Sequence, residues 1–139
     1  MIEGSCLCGS VRYRVSGRIS GIIDCHCSMC RKAAGGPFGS LFLANTKEIE
    51  WQGEELLTRY ESSPGLVRTF CSRCGTAMTG ANLVTPDDTF ILAANALDGD
   101  VRSSVIAQEH VASKAHWHDG AAEAPRYDGA FPGWETLKP

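Results

Sequence analysis

Seven cysteines fall in three tight groups, at positions 6 and 8, at 25, 27 and 30, and at 71 and 74, and none stands alone. An odd number cannot close into disulfides without leaving one thiol over. In a reducing compartment, clustered thiols hold metal or do chemistry more often than they cross-link. The groups therefore dictate which distant parts of the chain must meet. Gly4-Ser5-Cys6-Leu7-Cys8-Gly9 sets two thiols two residues apart. On an extended segment they share one face, and a turn at Gly9 lets them converge on one ion. Phe70-Cys71-Ser72-Arg73-Cys74-Gly75 has the pattern of a zinc knuckle, with Gly75 free to take a positive φ. Together Cys6, Cys8, Cys71 and Cys74 offer four thiolates, the donor set of a closed, tetrahedral structural Zn²⁺ site. Free cysteines are also common as small buried apolar residues, but two pairs each ended by glycine fit that reading poorly.

The third group, Asp24-Cys25-His26-Cys27-Ser28-Met29-Cys30-Arg31-Lys32, supplies three thiols within six residues. The pattern predicts Cys25 and Cys27 at a strand end and Cys30 on the first turn of a helix over Ser28–Ala34, with Ser28 as its cap. Three protein ligands leave a tetrahedral ion one open position, the layout of a catalytic zinc, and one that loses its ion more readily. Three thiolates around Zn²⁺ leave a net negative charge, which disfavours hydroxide and suits a substrate thiolate as the fourth soft ligand. His26 lies between two ligands on an extended segment, so its side chain should point away from their ion. Arg31 and Lys32 either offset the negative charge and pair with a ligand's carboxylates or are solvated surface cations; the sequence leaves both open. Asp24, Glu61, His110, His116 and His118 belong to no comparable motif.

Elsewhere the chain reads as short strands. Ser10–Ser16 alternates Val11, Tyr13 and Val15 with Arg12 and Arg14, the period of a half-buried strand. Further strands are expected over Ile19–Cys25, Pro37–Ala44, Lys47–Trp51, Leu56–Glu61, Leu66–Phe70, Thr76–Gly80, Phe90–Ala94 and Val101–His110. Turn residues punctuate them, among them Gln52-Gly53 and Thr85-Pro86-Asp87-Asp88. The expected class is mainly β, with antiparallel sheets and one short helical segment, in a single domain over residues 1–139. The proline-bearing segment after Gly120 is read as irregular, its Phe131 and Trp134 either packed on the body or exposed. Hydrophobic residues make up 43% and charged residues 21%, as in an ordinary globular protein. A net charge of −3 argues against a nucleic-acid partner, and no apolar run suggests a membrane span. The first residues resemble no secretory signal, so a cytoplasmic location is the expectation.

The motifs Gly4-Ser5-Cys6-Leu7-Cys8-Gly9-Ser10-Val11, Cys25-His26-Cys27-Ser28-Met29-Cys30-Arg31-Lys32 and Phe70-Cys71-Ser72-Arg73-Cys74-Gly75 resemble, in order and spacing, those of the glutathione-dependent formaldehyde-activating enzymes, a family that includes centromere protein V-like proteins. Ser113-Lys114-Ala115-His116-Trp117 resembles the family's C-terminal signature, while Gln108 stands where many relatives carry His. The resemblance implies zinc-clipped sheets of β-tent type, with Cys6, Cys8, Cys71 and Cys74 holding a structural zinc and Cys25, Cys27 and Cys30 a catalytic one. It further implies a carbon–sulfur lyase-type activity on a small thiol adduct, joining glutathione and formaldehyde into S-(hydroxymethyl)glutathione. Arg31 and Lys32 are the expected contacts to the thiol. A different class remains beside it: a non-catalytic zinc-stabilised β-domain acting as an adaptor or chaperone, its second zinc completed by His26 or by a partner's residue.

Overall fold

The computed structural model describes residues 1–81, 88–118 and 124–137. Along the described chain run β1 (Ile2–Ser5), β2 (Arg12–Val15), β3 (Ile22–Cys25), α1 (Ser28–Ala34), β4 (Gly39–Asn45), β5 (Ile49–Gln52), β6 (Leu57–Ser63), β7 (Leu66–Cys71), β8 (Ala77–Thr79), β9 (Thr89–Ala93), β10 (Leu97–Asp98) and β11 (Val105–Glu109). The strands form a four-stranded sheet in the order β10-β1-β2-β5 and a seven-stranded sheet in the order β11-β3-β4-β9-β8-β7-β6. All pairings are antiparallel except β11 with β3, which is parallel. The fold is mainly β, as the punctuated short strands predict.

Side-chain alternation sets the layers. In β2, Tyr13 and Val15 are buried while Arg12 and Arg14 are exposed, so the small sheet turns one face to the core and the other to water. The Leu41–Ala44 stretch of β4 is buried throughout, because both faces of that strand are covered. Phe42 and Ala44 pack with Val11, Tyr13, Val15, Met78 and Leu92, between the two sheets. Leu41 and Leu43 turn to the opposite face, with Ile23, Ile91, Ala107 and Trp134.

Trp134 comes from the C-terminal segment, which packs on the body. Its Nε1 donates to Glu109 Oε2 at 2.7 Å, and the Phe131 N–H donates to the same oxygen at 2.9 Å. Backbone bonds from Gln108 N–H to Pro125 O and from Tyr127 N–H to Gln108 O fasten the segment along β11.

Three local features depart from the sequence expectation. β1 is an extra strand that four residues containing a glycine do not announce; its ladder to β2 and an Arg14–Glu3 ion pair at 2.9 Å hold it. A Cβ on Gly4 would lie 2.2 Å from Tyr13 Cζ, so only glycine lets β1 pass over that ring. The strand expected from Val101 starts at Val105. Helix α1 has the expected span, but its cap is Cys27 rather than Ser28: the Cys27 Sγ accepts from the Cys30 N–H at 3.3 Å. Of the Thr85-Pro86-Asp87-Asp88 turn, only Asp88 lies within the described residues, with φ +62°.

Candidate metal centres and the cleft beside them

Two turns face one another at the first group. After β1 the chain folds back through a Gly9 N–H to Cys6 O bond of 2.8 Å, and Gly9 takes φ +72°. After β7 the Gly75 N–H bonds Cys71 O at 2.8 Å, and Gly75 takes φ +76°. These left-handed conformations strain residues that carry a Cβ. The Leu7 N–H reaches across to Thr76 Oγ1 at 3.0 Å and joins the two turns. Cys6 Sγ lies 3.5 Å from Cys8 Sγ, which is 3.9 Å from Cys71 Sγ, and all four sulfurs are within 4.8 Å of one another. Tetrahedral zinc with bonds of ~2.3 Å sets its sulfurs about 3.8 Å apart. The donor set fits that ion in chemistry and in spacing. Bonds from the Thr76 hydroxyl and from the Thr76 and Cys8 backbone N–H groups push the Cys74 thiol down to about 5, and bonds involving Ser10 lower Cys8. Burial pushes the Cys71 thiol up.

The second group is local. Cys25 ends β3, Cys27 caps α1 and Cys30 sits in its first turn. Their sulfurs also lie within 4.8 Å of one another; Cys25 and Cys30 are buried and Cys27 half-buried. Bonds from the Cys25 and Cys30 thiols, with backbone N–H groups of Cys30 and Met29, push Cys27 down to about 2. Donating to Cys27 and Cys30 pushes Cys25 up. Three sulfurs facing one point make a soft donor set that fits zinc as well.

His26, between Cys25 and Cys27, is fully buried and turned the other way. Its Nε2 is 3.0 Å from Gln108 Oε1, and its ring packs on Phe38 at 5.2 Å. Burial lowers its pKa, keeping the imidazole neutral. Arg31 Nε donates to His26 O at 3.3 Å, so its guanidinium braces the backbone of the thiol loop. Lys32 lines a cleft of about 510 Å³ between α1, with Met29 and Ala33, and the β6–β8 face, with Tyr60 and Phe70.

Arg68 also lines that cleft, and sequence reasoning missed it. It is only 9% exposed; its Nη1 lies 3.6 Å from Cys30 Sγ, and its Nε donates to Ser62 Oγ at 3.0 Å. Nothing local flags it, since Arg68 and Cys30 are 38 residues apart and meet only because the Arg68 side chain of β7 reaches the first turn of α1. Glu109 and His110 place ligand atoms within 4.8 Å of Cys25 Sγ, but the Glu109 carboxylate already accepts from Trp134 and Phe131. Among the described residues, no fourth side chain groups with all three sulfurs of Cys25, Cys27 and Cys30.

Two sheets, a four-sulfur group and a three-sulfur group, each able to hold a metal ion, define a thiol-rich β protein. The chain belongs to the glutathione-dependent formaldehyde-activating enzyme family, whose profile matches residues 1–117. A protein of Halomonas elongata, whose name assigns it provisionally to glutathione-dependent formaldehyde activation, is 40% identical over 86 residues, covering 56% of this chain and 54% of that one. The chain thus spans about half the length of that relative. A crystal structure of a Rhodobacter sphaeroides protein superposes with a TM-score of 0.57 at 21% identity, covering 72% of this chain and 91% of that one, a likeness of fold alone. No helix among the described residues is long and apolar enough to cross a membrane.

Proposed function

We propose that this chain is a single zinc-binding domain that catalyses the reversible addition of a small thiol, glutathione by family, to formaldehyde. The product is S-(hydroxymethyl)glutathione, and the reverse reaction is a carbon–sulfur lyase step. The observation that carries the reading is the three-sulfur group of Cys25, Cys27 and Cys30, whose Cys30 meets Arg68, a residue that also lines the cleft of about 510 Å³, in a chain of this family. Cys6, Cys8, Cys71 and Cys74 would hold the structural ion. Zinc bound by Cys25, Cys27 and Cys30 supplies a Lewis acid that keeps a thiol deprotonated at neutral pH, where a free thiol is mostly protonated.

The side chains do the rest. Lys32, at the cleft wall, pairs with a carboxylate of the thiol and orients its sulfur toward the three cysteines. Phe70, Ala33 and Ala77 give the cleft an apolar lining that limits water around the reactants. The thiol sulfur attacks the carbonyl carbon, a C–S bond forms, and the proton lost from sulfur ends on the former carbonyl oxygen. Holding both reactants together accounts for most of the expected gain. Such thiols persist in a reducing compartment, which supports a cytoplasmic site of action. The adaptor reading needs a fourth donor on the second centre; His26 is turned to Gln108, so that reading rests on a residue supplied by a partner.

The test follows S-(hydroxymethyl)glutathione formation and breakdown above the uncatalysed rate, comparing wild type with Cys27→Ser at equal folded concentration. Catalysis by the wild type alone is expected. Equal rates for both proteins and for buffer would overturn the assignment.

A further inference from the structure

A guanidinium taken out of water needs a counter-charge, and Arg68 does not find one among the carboxylates. It forms no ion pair with any Asp or Glu among the described residues; its partners are Ser62 Oγ and Cys30 Sγ. Of these two, only the thiol can carry a negative charge. Arg68 also lines both the large cleft and the small hollow against Cys30, and it is a residue the two have in common. Three thiolates with a dication carry one net negative charge, and one adjacent guanidinium makes the assembly neutral. Without that guanidinium, a fourth thiolate would have to join a group that is already anionic.

We propose that Arg68 is the counter-charge of the Cys25–Cys27–Cys30 group and thereby the positioning residue that lets this group accept an anionic thiolate from the cleft. The inference rests on the thiol reading above but assigns a role that the cysteines cannot fill. A charge–charge contact near 4 Å remains substantial at the effective dielectric of a protein site. Replacing Arg68 should therefore weaken an anionic ligand and spare a neutral one.

The experiment uses the full chain loaded with Co²⁺, whose visible absorption reports a change of ligand independently of catalysis. It is titrated with 2-mercaptoethanol, a thiol without carboxylates, and separately with imidazole, a neutral donor. In Arg68→Gln, 2-mercaptoethanol should bind roughly tenfold or more weakly, while imidazole stays within about threefold of wild type. Arg68→Lys, which keeps the charge, should hold thiol affinity within about threefold. Equal thiol affinity in wild type and Arg68→Gln would overturn the inference alone, as would equal losses for thiol and imidazole. If Arg68→Gln does not fold, a folded Arg68→Lys losing about tenfold or more in thiol affinity would overturn it too. A cobalt-loaded wild type that takes no thiol would remove the functional reading and this inference with it.

Discussion

The two sulfur groups use the same ligand type in opposite ways. The four-sulfur group is made by parts of the chain 63 residues apart, and it joins the turn after β1 of the small sheet to the end of β7 in the large one. Its turns bond to each other through Leu7 and Thr76, and Cys6 and Cys71 belong to the core between the sheets. The three-sulfur group is made by one strand–helix junction, and its Cys30 faces an arginine that also lines the cleft. A long-range clip restricts the unfolded chain and ties two layers, so its loss should appear in stability. A local group in one short segment constrains little of the fold, so its loss should appear in chemistry.

The largest expected effect tests that division. Binding at a structural zinc site contributes apparent free energies on the order of 10 kcal/mol, so Cys71→Ser should lose one equivalent of zinc and much of the thermal stability. Cys27→Ser should also lose zinc yet melt within a few degrees of wild type. Zinc analysis with melting curves for both variants checks this. Equal destabilisation would show that the two groups are not divided between stability and chemistry.

How much of this was legible in the chain follows the same division. Both sulfur groups could be read because glycines 9 and 75 and the spacing of the cysteines are local signals. Alternation found β2, and the helix span was readable from Ser28 to Ala34. What escaped depended on distant partners. β1 is held by β2 and by the open space that Gly4 leaves for Tyr13. Arg68 acquires meaning only when its side chain on β7 is seen to reach Cys30 of α1. Arg31 and Lys32, alike in sequence, diverge because the guanidinium turns back to His26 O while Lys32 lines the cleft.

Thiol reactivity sharpens the comparison at intermediate size. In the metal-free protein Cys74 is pushed from 9.0 down to about 5 by hydrogen bonds, Thr76 first. The native state then binds fewer protons at Cys74 than the unfolded chain between these values. That contribution to stability is complete above pH 9.0 and is lost as the pH falls through about 5. Cys74 and Cys27 should therefore alkylate at pH 7, and the buried Cys71 and Cys25, with raised pKa, should lag. Mass spectrometry of iodoacetamide-treated apoprotein distinguishes them. Removing the hydroxyl with Thr76→Val should slow Cys74 and leave Cys27 unchanged, since the two groups share no hydrogen bond. A parallel change at Cys27 would mean that they are coupled.

The smallest effect lies in the layer that the clip closes. Tyr13 is buried between the sheets, and its Oη has no hydrogen-bond partner there. Burial, with the charge of Asp98, pushes its phenol up and keeps it neutral. An unpaired hydroxyl costs its desolvation without return, whereas its ring fills the space beneath Gly4 and meets Trp51 edge-on at 5.4 Å. Tyr13→Phe keeps the ring and removes the unpaired group. It should stabilise the protein by up to about 1 kcal/mol, read from the denaturant midpoint at unchanged m-value. Because this layer is separate from the Cys25–Cys30 junction, Cys27 alkylation should proceed at the wild-type rate. A loss of stability would mean that the hydroxyl has a partner after all, and a changed Cys27 rate would show that the core between the sheets communicates with the second centre.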